Sequence, residues 1–239
     1  MHACGRRPIC RRRRHSSAGF SPPRTDWGSS FRSWTTRADS WPRSDIAETD
    51  RPPVGYRQRV TDSALVGQHR LDLSRGDITN ERVDAIANAA NEALRGGGGV
   101  DGAVHRAAGP GLLAELRTRY PHGTPTGTAV ATDAYDLPAR WVLHAVGPVW
   151  RGGNNDEPNL LAAAYRSCLI LADELGARSI AFPAISMGIY GYPPPDGARV
   201  AVQTVVAYLR GETRVEVVRF VLFSEETYEL FAEALAEAG

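Results

Sequence analysis

The chain has 239 residues, 42% hydrophobic and 23% charged, which suits one α/β domain plus an extension. Its formal charge of +1 hides an asymmetry: residues 1–60 carry 13 Arg against 5 acids, and residues 61–239 carry 15 Arg against 22 acids, a difference of −7. A fold that grips nucleic acid by its phosphates needs a basic face, so the acidic main part argues against that partner.

Cys4, Cys10 and Cys168 form no CxxC pair, and no histidines cluster at ligand spacing, so neither a metal site nor a disulfide framework is expected. This usage fits a reducing cytoplasm. No apolar run approaches the roughly 18 residues that a membrane span requires, so no membrane partner is expected. There is no Lys, so a P-loop with its GK[ST] ending is excluded.

In chain order, residues 1–60 are rich in Arg, Ser and Pro with isolated Trp27, Trp34 and Trp41, and show no helical or strand period. Such a composition buries too little apolar area to offset ordering entropy, and the stretch reads as a disordered extension. Arg11 to Arg14 have the look of an export signal, yet HSSAGFSPPRTDWGSS follows without a hydrophobic stretch, so export is not expected. A flexible arm for an acidic partner is the weaker reading of this basic segment.

From about residue 61 short β-branched runs alternate with helical patterns. ALVG, HRLDLSRGD, VDAIANAA, GTAVAT, RWVLHAV, RSIAFPA and VEVVRFVLF read as strands, and four helices separate some of them. One helix follows from GAVHRAAG, one from Leu161, Ala164, Tyr165, Cys168, Leu171, Ala172 and Leu175, and one from Ala198, Val202, Val205 and Leu209. Ser224 ahead of Glu225 and Glu226 reads as the N-cap of a last helix that buries Tyr228, Phe231 and Leu235. IAFPA and VVRFVLF look apolar on both faces and predict central strands. The expected fold is a three-layer α/β/α sandwich around a central mixed sheet, spanning residues 61–239.

In such sheets ligands bind beyond the carboxyl ends of the strands. GDIT follows one strand, NAANEALRGGGGVDG a second and ISMGIYGYP a third. The run Gly96 to Gly99, then Val100, Asp101 and Gly102, lets backbone approach a ligand without β-carbons, and the helix start after it offers unpaired N–H groups. Ser186, Met187, Gly188, Ile189, Tyr190 and Gly191 form a second loop able to present amides as an anion nest. Two such loops facing one crevice point to a diphosphate. If the helix has begun by Asp101, His105 four residues on shares its face and can orient the carboxylate. His144 in a strand reads as a satisfied core histidine, and Cys168 on an apolar stripe as packing.

GDIT, VDAIANAAN, GGGGVDGAVHRAAG, HAVGPVW and AFPAISMGIYGYP, in that order, resemble the macrodomain family. The similarity is closest to its MacroD-type branch of O-acetyl-ADP-ribose deacetylases and mono-ADP-ribosyl hydrolases, and covers residues 62–236. The resemblance implies a domain that binds ADP-ribose or its esters, with ADP-ribosylated proteins as a further partner class, and hydrolyses those esters without a cofactor. A non-catalytic ADP-ribose reader is the alternative. By the same resemblance Asp77 would accept from the adenine amino group beside the amide of Ile78. Asn91 would bind the distal ribose, Tyr190 would pack on it, and Asp101 with His105 would act on water. Gly98, Gly99, Val100, Ser186, Met187, Gly188 and Ile189 would line the ligand. Met187 departs from the family, which has a small hydroxyl residue there, and a thioether cannot donate to phosphate.

Overall fold

The computed structural model describes residue 1 and residues 60–239; the expected disordered extension of residues 1–60 lies almost wholly outside the described residues. Seven strands form one sheet, ordered β1-β2-β7-β6-β3-β5-β4. They are β1 (Val60–Val66), β2 (His69–Arg75), β3 (Val83–Ala90), β4 (Ala129–Asp133), β5 (Ala139–Val146), β6 (Ser179–Phe182) and β7 (Val217–Leu222). The five strands from β2 to β5 run parallel, and β1 and β4 close the edges antiparallel. The sheet is therefore mixed, as expected, with β6 and β7 at its centre. Gly67, at φ +65°, takes the left-handed turn that lets β1 pair back on β2, a conformation only glycine adopts without strain.

Five α-helices cover the sheet rather than four: α1 (Gly99–Ala108), α2 (Pro110–Arg119), α3 (Glu157–Leu175), α4 (Pro194–Leu209) and α5 (Glu225–Ala238). The unread helix is α2, whose apolar stripe is only Leu112 and Leu116 and which Gly109 (φ +77°) separates from α1. Helices α1 and α2 pack on one face, burying Val104, Leu112 and Leu116 against Ile86, Ala90, Val130, Val142 and Val146. Helices α3, α4 and α5 form the other layer, where Tyr165, Phe182, Phe220 and Phe231 stack with centroids 4.8–6.0 Å apart. Each is fully buried, worth about 1.5–3 kcal/mol apiece by transfer.

Ser224 does cap α5, its Oγ accepting from the Thr227 amide at 3.2 Å. Of the three side chains expected under that helix only Phe231 is fully buried; Tyr228 and Leu235 lie on the flanks of the stripe and stay half-buried. The run VVRFVLF also departs from expectation, because Arg219 interrupts its apolar face. Its guanidinium pairs with Asp72 at 3.1 Å and Glu81 at 2.8 Å, so the charge is neutralised within the sheet layer. Burial raises the Glu81 carboxyl, against the pull of Arg219.

Alternation of side chains along β3 sets the site. Ile86, Asn88 and Ala90 share the face that meets α1, and β5 runs alongside in a register that pairs Asn88 with His144. A polar pair is thus built into an otherwise apolar layer, directly beneath the first turn of α1.

Candidate active site

The carboxyl ends of β2, β7, β6, β3 and β5 open into one cleft of about 670 Å³, a size suited to a small ligand. One end is formed after β2 and β7. There Gly76 donates to the Leu222 carbonyl at 3.0 Å, which brings Asp77 beside Phe223. Asp77 caps a 3-10 turn over Ile78–Asn80, its Oδ1 accepting from the amide of Thr79 at 2.9 Å and from its hydroxyl at 2.8 Å. It lines the cleft while capping. Ile78 is buried in the α1-side core and reaches the cleft edge.

The middle is walled by the two glycine-bearing loops. Gly98 is the extended N-cap of α1 and Gly99 begins the helix at φ +60°, so the first-turn N–H groups have no intrahelical partner. Opposite them, the loop after β6 is held by Gly191 donating to the Gly188 carbonyl and Tyr192 to the Ser186 carbonyl. The N–H groups of Gly188, Ile189 and Tyr190 meet no acceptor among the described residues. Ser186 sits at φ +67°, a strained conformation for a residue with a β-carbon, and its buried Oγ has no partner among the described residues. That oxygen lies against Gly147, where a β-carbon would collide with it. Met187 leans on α4, its Cε 2.8 Å from where a β-carbon on Gly197 would be.

The other end holds the carboxylate. Asp101, in the first turn of α1, is only 4% exposed yet lines the cleft. Its Oδ1 accepts from Asn88 Nδ2 at 2.7 Å and meets His105 Nε2 at 3.4 Å, one helical turn on as the spacing predicted. Its Oδ2 lies 3.4 Å from Nδ2 of Asn91, which also lines the cleft. Asn91 is itself anchored, donating to the Gly96 carbonyl at 2.9 Å. Tyr190 stands in the same wall; burial, with the charges of Asp101 and Glu92, raises its hydroxyl.

His144 is fully buried, and burial, with the nearby His105, lowers it to about 3 against the pull of Asp101. It is a satisfied core histidine, as read from the strand pattern. Cys168 is likewise buried, which pushes its thiol well up and leaves it a packing residue.

The structure also brings to the cleft residues that the motif reading did not single out, chiefly Phe223, Thr227, Arg106 and Gly147. Phe223 is 85% exposed, and a large apolar ring in that position at a strand's carboxyl end was the signal available. No group of three or more potential metal ligands occurs among the described residues, and no helix there is long and apolar enough to cross a membrane.

A sandwich with a cleft at the strand ends, two amide-presenting loops across it and a carboxylate at one end defines an α/β ligand-binding domain. The chain belongs to the Macro domain family, whose sequence pattern matches residues 87–201. An O-acetyl-ADP-ribose deacetylase of Salmonella gallinarum is 54% identical over 172 residues, 71% of this chain and 96% of that protein. The Oceanobacillus iheyensis macrodomain solved with ADP superposes with a TM-score of 0.70 at 41% identity, over 74% of this chain and 95% of its own. The Trypanosoma brucei macrodomain in complex with ADP-ribose gives 0.64 at 42%, over 69% and 68%.

Proposed function

We propose that this cleft binds ADP-ribose and that the protein hydrolyses its acyl esters, both O-acetyl-ADP-ribose and the ester linking ADP-ribose to Asp or Glu side chains of proteins. The observation that carries the reading is the asymmetry of Asp101: Oδ1 is tied by the fully buried Asn88, while Oδ2 meets Asn91, which lines the cleft with it. A binding-only site has no need of such a carboxylate. Relatives named as deacetylases and neighbours solved with ADP and ADP-ribose support the ligand class.

In this reading the adenine lies between Asp77 and Phe223, and the diphosphate lies across the middle. The first-turn amides of α1 and the amides of residues 188–190 face it there. The distal ribose then reaches Asn91, Asp101 and Tyr190. Asp101 Oδ2 holds a water, which attacks the acyl carbon or the anomeric carbon. The new C–O bond forms as the ester C–O bond breaks. The proton shed by water goes to the carboxylate and then to the departing oxygen, leaving acid and ADP-ribose. His105 steadies the carboxylate from the following turn.

Incubation with O-acetyl-ADP-ribose and with a peptide carrying an ADP-ribosylated glutamate, followed by mass, tests this. Release of acetate or of ADP-ribose is expected. Tight ADP-ribose binding with neither product would contradict it and leave a reader module.

A further inference from the structure

Behind Asp101 a polar chain crosses the buried layer. Asn88 Nδ2 donates to Asp101 Oδ1 at 2.7 Å and lies 3.2 Å from His144 Nδ1; His144 Nε2 lies 2.9 Å from Thr132 Oγ1. Asn88, His144 and Thr132 are all fully buried, on three adjacent strands. Polar side chains in such a layer cost stability unless each is bonded, so an all-apolar version would be the default.

The donor inventory fixes every proton in this chain. An amide nitrogen only donates, so His144 Nδ1 must accept from Asn88, and the ring proton sits on Nε2, given to Thr132. The other Asn88 hydrogen goes to Asp101. Turning the amide over would set Oδ1 against a carboxylate oxygen, acceptor against acceptor, and that repulsion excludes it. Asn88 Oδ1 has no partner among the described residues, an unmade bond tolerated while both hydrogens are committed.

We propose that Thr132, His144 and Asn88 are positioning residues for Asp101. They form a buried relay that holds Oδ1 inward, in one rotamer, and so aims Oδ2 at the cleft. The carboxylate and the Asn88 amide together fix the tautomer of His144, whose Nε2–H goes to Thr132, and the anchored imidazole in turn holds the amide that holds the carboxylate. The groups facing Asp101 are Asn88 from β3, His105 from its own helix, and Asn91 and Tyr190 from the loops. Asn88, His144 and Thr132 are fully buried and line no part of the cleft, so they orient Asp101 without touching substrate. The proposal rests on the hydrolase reading for its kinetic consequence, but not for the hydrogen-bond order itself.

The test uses the full chain and two variants. His144→Leu removes the acceptor for Asn88, whereas His144→Asn restores it, since its side-chain oxygen falls where Nδ1 sits. His144→Leu should lower kcat about 10-fold or more, because misplacing a reacting group by about 1 Å can cost on the order of 10². Its Kd for ADP-ribose should stay within about twofold and KM should follow Kd, while His144→Asn recovers most of kcat. Unchanged kcat per folded molecule in His144→Leu, or an equal loss in both variants, would overturn the relay. The wild-type protein is also read by 15N NMR at pH 7, where a proton-free Nδ1 on His144 supports the order and a protonated Nδ1 overturns it. Should the wild type release no acetate, the hydrolase reading fails, and the relay is decided on the nitrogen shifts alone.

Discussion

Ile189 Cδ1 stands 2.9 Å from the point where a β-carbon on Gly98 would lie, so the two loops meet across the cleft at one glycine. Ile189 is 76% exposed and its side chain can swing, and Gly98 has an ordinary extended φ of −96°. Gly98→Ala should therefore keep Tm while narrowing the cleft and weakening ADP-ribose. Gly102→Ala makes the contrast: its β-carbon would sit 2.5 Å from the Gly97 carbonyl oxygen, which is backbone and cannot move aside. Thermal melts and calorimetry on the pair should show a lost Kd in the first and a lowered Tm in the second.

In the proposed binding mode Asp77 does two jobs that a single substitution separates. Asp77→Asn can keep an oxygen on the Thr79 amide, but it then turns an NH2 toward the adenine amino group, donor against donor. Affinity for ADP-ribose should fall by about 1.5–3 kcal/mol, the scale of a hydrogen bond to a charged group. Tm should hold, and Asp77→Ala should lose both. An unchanged Kd in calorimetry would remove Asp77 from adenine recognition.

Phe223 is the exposed ring beside Asp77. Phe223→Ala should weaken ADP-ribose by about 1–3 kcal/mol, the range for a base stacked on an aromatic, with no loss of stability. Equal binding of ADP-ribose and ribose 5-phosphate to wild type would contradict the stacking.

Most of the fold was legible because strand and helix periods are local properties. All seven runs became strands, and the glycine-rich stretches fell at their carboxyl ends. Helix α2 was not legible, since two leucines make too narrow a stripe to show a period. Arg219 was passed over because its partners, Asp72 and Glu81, are far away in sequence. The same limit hid the relay: Asn88 and His144 are 56 residues apart, and only the pairing of β3 with β5 sets them together. Asp101 with His105 was readable because both lie on one helix.

Glu157 predicts a pH dependence of stability. It is buried at the start of α3 and accepts from the amides of Arg151 (3.0 Å), Gly153 (3.3 Å) and Asn155 (2.6 Å). Desolvation alone would raise its carboxyl, but its own amide and those of Asn155 and Arg151, with the Asn155 side chain, hold it down to about 2 from an ordinary 4.5. A depressed carboxyl stabilises the fold above its unfolded value, and that stability fades as pH falls from about 4.5 through about 2. Melting curves between pH 6 and 2 should show a loss in this window that is smaller in Glu157→Gln. Parallel curves for the two proteins would contradict the assignment.

In the proposed mechanism Asp101 works on water rather than on the helix. The direct measurement is the rate of acetate release from O-acetyl-ADP-ribose by Asp101→Ala, with calorimetric Kd for ADP-ribose and Tm on the same preparation. Turnover should be lower by roughly 10²-fold or more, as for a lost acid–base group, with Kd changed only a few-fold because the proposed binding mode holds adenine and diphosphate elsewhere. An acid in the first turn of a helix is worth only about 0.3–1 kcal/mol, so Tm should move little. A normal rate per folded molecule, with or without a lower Tm, would contradict it.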